Sequence, residues 1–100
     1  MTAVNPVQLN PVIHSQVRLA VMSILTAAKE ADFNTLKKMT EATDGNLSTH
    51  LAKLEEAGYV EIKKSFLGKK PQTRYTLTEK GKKAFTEYLK GLEEIIKLQK

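Results

Sequence analysis

The chain is 100 residues long, with 41% hydrophobic residues, a net charge of +5 and no cysteine. That length and apolar share fit one globular domain and exclude wholesale disorder, and the missing cysteines exclude disulfides, thiolate metal sites and cysteine nucleophiles. No run approaches the roughly 18 apolar residues that cross a bilayer, so no membrane is expected; no cofactor is expected either, and the positive balance points weakly to an anionic partner.

Residues 1–12, "MTAVNPVQLNPV", contain Pro6 and Pro11 and read as an extended arm. They lack a basic start followed by an apolar run, so no secretory signal is expected and the protein is read as cytoplasmic. His14 reads as part of the lead-in to a first helix from about 13 to 30, on which Val17, Ala20, Val21, Ile24, Leu25 and Ala28 recur at helical spacing. Leu19 and Met22 fall off that stripe and form a second apolar edge suited to another subunit. "ADFN" is too short for a helix; Phe33 is read as a brief strand or a core plug, and Asn34 as a cap. A second helix is expected over Thr35 to Thr43 with Leu36 and Met39 inward, before "TDG" breaks the chain.

The third helix, from about 45 to 57, places Leu47, Leu51 and Leu54 at i, i+4 and i+7, one narrow apolar stripe. Gly58 suits the left-handed residue that ends a helix. "YVEIKKSF" alternates as a strand does, with Val60 and Ile62 on one face. "LGKKPQT" reads as a hairpin loop stiffened by Pro71, and "RYTLT" as the return strand with Tyr75 and Leu77 inward. Thr78 caps a last helix reaching about Leu98, and Glu79 favours its positive end. Asp44 and Asn46 could themselves be caps of the third helix.

The fold class that follows is mainly α (α+β): a three-helix core, a two- to three-stranded β-wing and a long C-terminal helix. The break of about three residues between the second and third helices forces a steep crossing, as in a helix-turn-helix. A hairpin directly after the third helix makes this the winged variety. The chain divides into an arm over 1–12, a winged helix domain over 13–77 and a C-terminal helix over 78–100 that pairs two subunits.

"NLSTHLAKLEEAGYVEIKKSF" followed by "RYTLTEKGKKAF" resembles the winged helix-turn-helix domains of MarR- and ArsR-type transcriptional regulators, and "HSQVRLAVMSIL" resembles the first helix of that group. The likeness covers about residues 13 to 90. It implies a third helix in the major groove of DNA, a wing on backbone or minor groove, and terminal helices that pair two subunits.

Opposite the leucine stripe, at 100° per residue, lie Thr49 and Glu56, flanked by Asn46, Ser48, Ala52 and Lys53. The N-terminal part of such a helix leads into the groove, so Asn46, Ser48, Thr49 and Lys53 are the contact candidates. Asn can pair with adenine, Ser and Thr with bases or phosphates, and lysine with phosphate. His50, on the flank of the stripe, reads either as a packing and hydrogen-bonding residue or as a phosphate contact. For Arg18 the resemblance implies either fold support or a backbone contact. The bland reading makes Ser48 and Thr49 ordinary solvated residues. Lys63, Lys64, Lys69, Lys70 and Arg74 carry the whole excess of +5 within twelve residues that hold no acid. With Gln72 and Thr73 they form the candidate wing surface, Arg74 or a wing lysine reaching a minor groove. An edge hairpin guarded against aggregation by lysines would look similar.

A last helix over Thr78 to Leu98 would span about 31 Å, longer than a domain of this size can cover. Phe85, Tyr88, Leu89, Leu92, Ile95 and Ile96 on one side of it, with Val12, Ile13 and Val17, are expected to form a dimer interface. The alternative is a helix folded back on its own domain. The expected partners are double-stranded DNA and a second copy, with no membrane. A small-molecule effector is left open, and nothing in the sequence indicates one. Ser48 and His50 make no nucleophile–base pair, and the five glycines form no phosphate loop, so no enzyme is expected. The rival readings are a winged helix serving as a protein–protein interaction module, which Glu55, Glu56 and Glu61 favour, and one that binds structured RNA.

Overall fold

A computed structural model describes residues 9–98. In chain order it holds α1 (Gln16–Ala28), β1 (Glu30–Asp32), α2 (Phe33–Thr40), α3 (Asp44–Glu56), β2 (Val60–Leu67), β3 (Lys70–Leu77) and α4 (Glu79–Lys97). The strands form one antiparallel sheet in the order β1-β3-β2. Helices α1, α2 and α3 pack pairwise, and α1 also meets β1, β3 and α4.

Helix α1 is shorter than its periodicity predicts. Asn10 Oδ1 accepts from the backbone N–H of Val12 at 2.9 Å, His14 N–H donates to Asn10 C=O at 2.8 Å, and these turns occupy Pro11 to Ile13. Ser15 is the N-cap. Lys29 ends the helix at φ +71°, and the next residue already belongs to β1. Met22, expected on an edge facing another subunit, is 0% exposed. Val21, Met22 and Leu25 are buried among the chain's own helices and sheet, while Val17, Leu19 and Ile24 are half-buried against that core.

Helix α2 begins at Phe33, two residues before the expected start, because Asp32 caps it in place of Asn34. The Asp32 carboxylate accepts from Thr35 N–H at 2.8 Å. Leu36 is buried as expected, but Met39 is 59% exposed. The inward line of this eight-residue helix runs through Phe33, Leu36 and Thr40, so Met39 points out. Glu41 takes the left-handed conformation at φ +57° and turns the chain. Thr43 then caps α3, its hydroxyl accepting from Asn46 N–H at 3.2 Å. Asp44 and Gly45, read as part of the break, are therefore the first residues of α3, and neither Asp44 nor Asn46 is its cap.

Leu47, Leu51 and Leu54 are buried, and Gly58 takes φ +83° after the helix. The hairpin turn is Gly68–Lys69 alone, with Gly68 at φ +66° and Lys69 outside the positive region, the pattern of a type II′ turn. Pro71 is thus in β3, opposite Phe66, and not in the loop. It is tolerated there because β1 reaches only as far as Arg74, leaving the Pro71 side of β3 an edge without ladder partners.

Thr78 Oγ1 accepts from Gly81 N–H at 2.9 Å and caps α4 as expected. Thr78 N–H donates to Tyr59 C=O at 3.0 Å, which locks the start of α4 onto the chain before β2. A Cβ at position 81 would lie 2.2 Å from that same carbonyl oxygen, so the close approach requires glycine.

Residues 1–8 of the expected arm lie outside the described residues. The part that follows is tied down and not free. Leu9 is buried, its Cδ2 3.0 Å from where a Cβ on Gly91 would sit. Asn10 Nδ2 donates to Tyr59 Oη at 2.8 Å, and His14 Nδ1 lies 2.8 Å from Tyr88 Oη. Ile13, Phe85 and Tyr88, expected at a subunit contact, are consequently buried in the chain's own core. Val12, Val17, Leu92 and Ile95 are half-buried, while Leu89 and Ile96 remain exposed, as does Leu98. The radius of gyration is 15.1 Å, above the roughly 13 Å of a compact domain of this length, as a projecting hairpin and a long last helix require.

Candidate nucleic-acid interface

The leucine stripe fixes how α3 is rolled. With Leu47, Leu51 and Leu54 inward, Gly45, Asn46, Ser48, Thr49, Ala52 and Lys53 are all exposed. The Thr49 hydroxyl donates to Gly45 C=O at 2.9 Å, leaving the oxygen lone pairs for a donor. Asn46 and Ser48 side chains have no hydrogen-bond partner among the described residues. The first-turn N–H groups of a helix attract anions. Asp44 opposes this, but Lys37 Nζ stands 2.7 Å from its carboxylate.

His50 is held differently from its neighbours. Arg18 Nη1 lies 2.8 Å from His50 Nδ1. A guanidinium can only donate, so Nδ1 accepts and the ring proton sits on Nε2. Burial, then the charges of Arg18 and Lys53, push the His50 pKa below its ordinary value. The same guanidinium donates through Nε to Val12 C=O and through Nη2 to Pro11 C=O at 3.5 Å. Of the two readings of Arg18, the hydrogen bonds support the structural one: it joins the segment before α1 to the flank of α3. Sequence spacing gave no signal of this link, because Arg18 and His50 are 32 residues apart.

The strand register sorts the wing residues. Val60, Ile62, Lys64 and Phe66 share a face with Leu77, Tyr75, Thr73 and Pro71; Glu61, Lys63, Ser65 and Leu67 share the other with Thr76, Arg74, Gln72 and Lys70. The inner half of the first face packs into the core below α3. Burial pushes the Tyr75 hydroxyl pKa up, and the carboxylate of Glu55 on α3 adds to it. Lys63, Lys64, Lys69 and Lys70 are exposed, and none is in an ion pair with a described residue. Gln72 and Thr73 are half-buried. Arg74 is half-buried in the middle strand, 3.8 Å from Glu30 of β1. The acid-free run in sequence is therefore not acid-free in space: β1 brings Glu30 to Arg74, and four free cations remain on the wing. Lys37 and Lys38, in the last turn of α2, carry no pattern in the sequence that marks them as contacts; Lys38 is exposed on the first helix of the helix-turn-helix.

A cleft of about 940 Å³ opens between the end of α1, the base of the sheet and α4, lined by Leu25, Lys29, Glu61, Thr76, Phe85 and Leu89 among others. Thr76 Oγ1 is buried there without a hydrogen-bond partner among the described residues. Those residues contain no cluster of metal-ligating side chains and no helix long and apolar enough to cross a membrane.

Comparison with known proteins agrees with this fold. An uncharacterised protein of Methanocaldococcus jannaschii is 40% identical over 89 residues, covering 89% of this chain and 94% of that one. The solved structure of a transcriptional regulator homologue from Pyrococcus horikoshii superposes with a TM-score of 0.79 at 29% identity, over 86% of this chain and 85% of that one. A MarR-family regulator from Silicibacter pomeroyi shares the fold at TM-score 0.67 and 20% identity, over 82% of this chain and 54% of that one. NadR in complex with 4-hydroxyphenylacetate does so at TM-score 0.72 and 21% identity, over 92% and 67%. The family described as winged helix DNA-binding domain matches residues 17–96, and with the helix-turn-helix and wing in place the chain belongs to that family of DNA-binding, non-enzymatic domains.

Proposed function

We propose that the protein is a sequence-specific transcriptional regulator that binds double-stranded DNA as a homodimer, with α3 in the major groove and the wing on backbone and minor groove. One observation carries this reading: the outer side of α3 is polar and open along its length, and beside it stands a hairpin with four uncompensated lysines. Asn46, Ser48 and Thr49 meet base edges, and Lys53 and Lys38 meet phosphates. His50 presents its Nε2–H as a donor. Arg74, paired with Glu30, positions the wing more than it contacts the duplex. Leu89, Ile96 and Leu98 are the exposed apolar residues of the α4 segment that a second copy would cover. The cleft beside α4 is where a small-molecule effector would act; NadR, which shares the fold, is solved in complex with 4-hydroxyphenylacetate.

The test is a gel shift with competitor duplex across salt concentrations. If four lysines on each subunit neutralise phosphates, log K falls with log salt at a slope of about −3.6 per subunit, and Lys69→Ala/Lys70→Ala makes it shallower by about 1.8. The exposed carboxylates Glu55 and Glu56 near the end of α3 favour a protein–protein module instead. That reading expects no salt-dependent retention of any nucleic acid. Retention of structured RNA without preference among duplexes would point to RNA.

A further inference from the structure

Two of the largest apolar exposures among the described residues are adjacent and sit at the wing tip: Phe66 is 74% and Leu67 is 68% exposed. They immediately precede the Gly68–Lys69 turn, and each closes a cross-strand pair, Phe66 with Pro71 and Leu67 with Lys70. Nothing among the described residues covers them. Only Val60 in β2 is fully buried, and the five residues from Lys63 to Leu67 are all exposed. At about 3.3 Å per residue the tip stands some 15 Å beyond the core. A phenylalanine and a leucine this open to water forgo most of the stabilisation that burial would give them, and an edge hairpin that only needed solubility would carry polar residues there.

Their surroundings select the partner. Lys63, Lys64, Lys69 and Lys70 flank the pair, none ion-paired with a described residue, and no acid occurs between Glu61 and Glu79. An apolar tip inside a cationic collar fits a surface that is anionic outside and apolar within. A duplex has this profile: phosphates line the groove, and the stacked faces of the bases lie between them. Phe66 lies on the same hairpin face as Ile62 and Tyr75, the face that packs below α3, so it extends on the side of the contact helix.

We propose that Phe66, supported by Leu67, is an apolar wedge that enters the minor groove at the wing and partly unstacks one base step. This rests on the DNA-binding reading above and adds a source of specificity to it. A hydrocarbon wedge reads no donor or acceptor; it reads how easily a step opens. Pyrimidine–purine steps such as TA and CA deform most readily, and apolar side chains inserted between steps kink the duplex. The wing thus selects a flexible step flanking the sequence that α3 reads.

The experiment uses a duplex recovered from a random pool by the full-length protein, with TA or AA at the step nearest the wing. 2-Aminopurine replaces the adenine of that step. Wild type is expected to bind the TA duplex about 5–10-fold more tightly and to raise the fluorescence of the base analogue. Phe66→Ala and Phe66→Ala/Leu67→Ala are expected to bind both duplexes alike and to lose the fluorescence rise, with the slope against salt unchanged. Both residues are exposed, so the variants should fold, and thermal unfolding checks that they do. Equal step preference and fluorescence in wild type and variants would overturn the wedge while leaving DNA binding intact. A change in light-scattering mass in the variants without loss of step preference would assign the tip to a second copy and also overturn it. Failure of wild type to retain any duplex would remove the DNA-binding reading itself.

Discussion

Arg18 and His50 show how one pair of side chains couples the segment before α1 to the contact helix. The Arg18 guanidinium holds Val12 and Pro11 carbonyls on one side and the His50 ring on the other. The contact needs His50 neutral, since only an unprotonated Nδ1 can accept. Burial and the neighbouring cations depress the His50 pKa, so over the interval between the folded pKa and the ordinary value near 6.5 the unfolded chain binds the extra proton. Stability supplied by this site is therefore complete above about pH 6.5 and is lost as pH falls through that interval. Melting curves at pH 7.5 and 5.5 should show wild type losing more thermal stability than His50→Gln, whose amide oxygen can still accept from Arg18. Equal losses in the two proteins would mean that the bond contributes nothing. The contribution of Asp32 is lost in the same direction of pH, but by losing a charge where His50 gains one. The Thr35 N–H, then its hydroxyl, and Arg74 hold the Asp32 carboxyl below the usual range, so its contribution is present above about pH 4 and disappears as acid protonates the cap.

At the scale of elements, the sequence revealed periodicity better than boundaries. The i, i+4, i+7 leucines of α3, the alternation of β2 and the Thr78 cap were legible because each is a local pattern with one structural reading. What was not legible depended on contacts between distant segments. Met22 looks like an outward residue until α4 and the sheet are seen to wrap α1. Arg74 looks like a free wing cation until β1 places Glu30 beside it. Pro71 looks like a loop residue until β1 is seen to stop at Arg74. The wedge at Phe66 was hidden for the same reason: "YVEIKKSF" alternates correctly, and only the reach of the hairpin beyond the core shows that its last residues have no cover. The junction of β2 and α4 gives a direct test of such a contact. Gly81→Ala should cost about 1–3 kcal/mol by overpacking against the Tyr59 carbonyl. Gly45→Ala, where a Cβ meets nothing within 4 Å, should be neutral or stabilise by up to about 1 kcal/mol. Urea unfolding of both variants checks the pair, and a stable Gly81→Ala would show that the junction yields more than packed backbone should.

At the scale of the whole molecule, the surface left for a second copy is narrower than the sequence suggested. Leu9, Asn10 and His14 fold against Tyr59, Tyr88 and Gly91 and draw Ile13, Phe85 and Tyr88 into the chain's own core. Leu89 at 44% exposure and Ile96 at 58% remain on α4. Leu89→Glu/Ile96→Glu should therefore leave the monomer folded and abolish pairing in sedimentation equilibrium. It should also weaken binding to a two-half-site duplex while sparing the weak binding of a single half-site. Retention of the dimer by this variant would move the subunit contact elsewhere.

Footprinting on a selected duplex tests the paired, two-groove mode of binding most directly. A dimer that straddles DNA should protect guanine N7 in two major-groove patches about 10 base pairs apart on one face of the helix, each flanked by minor-groove sugar protection from a wing. Protection of a single patch, or of minor groove and backbone with both major grooves left reactive, would contradict it.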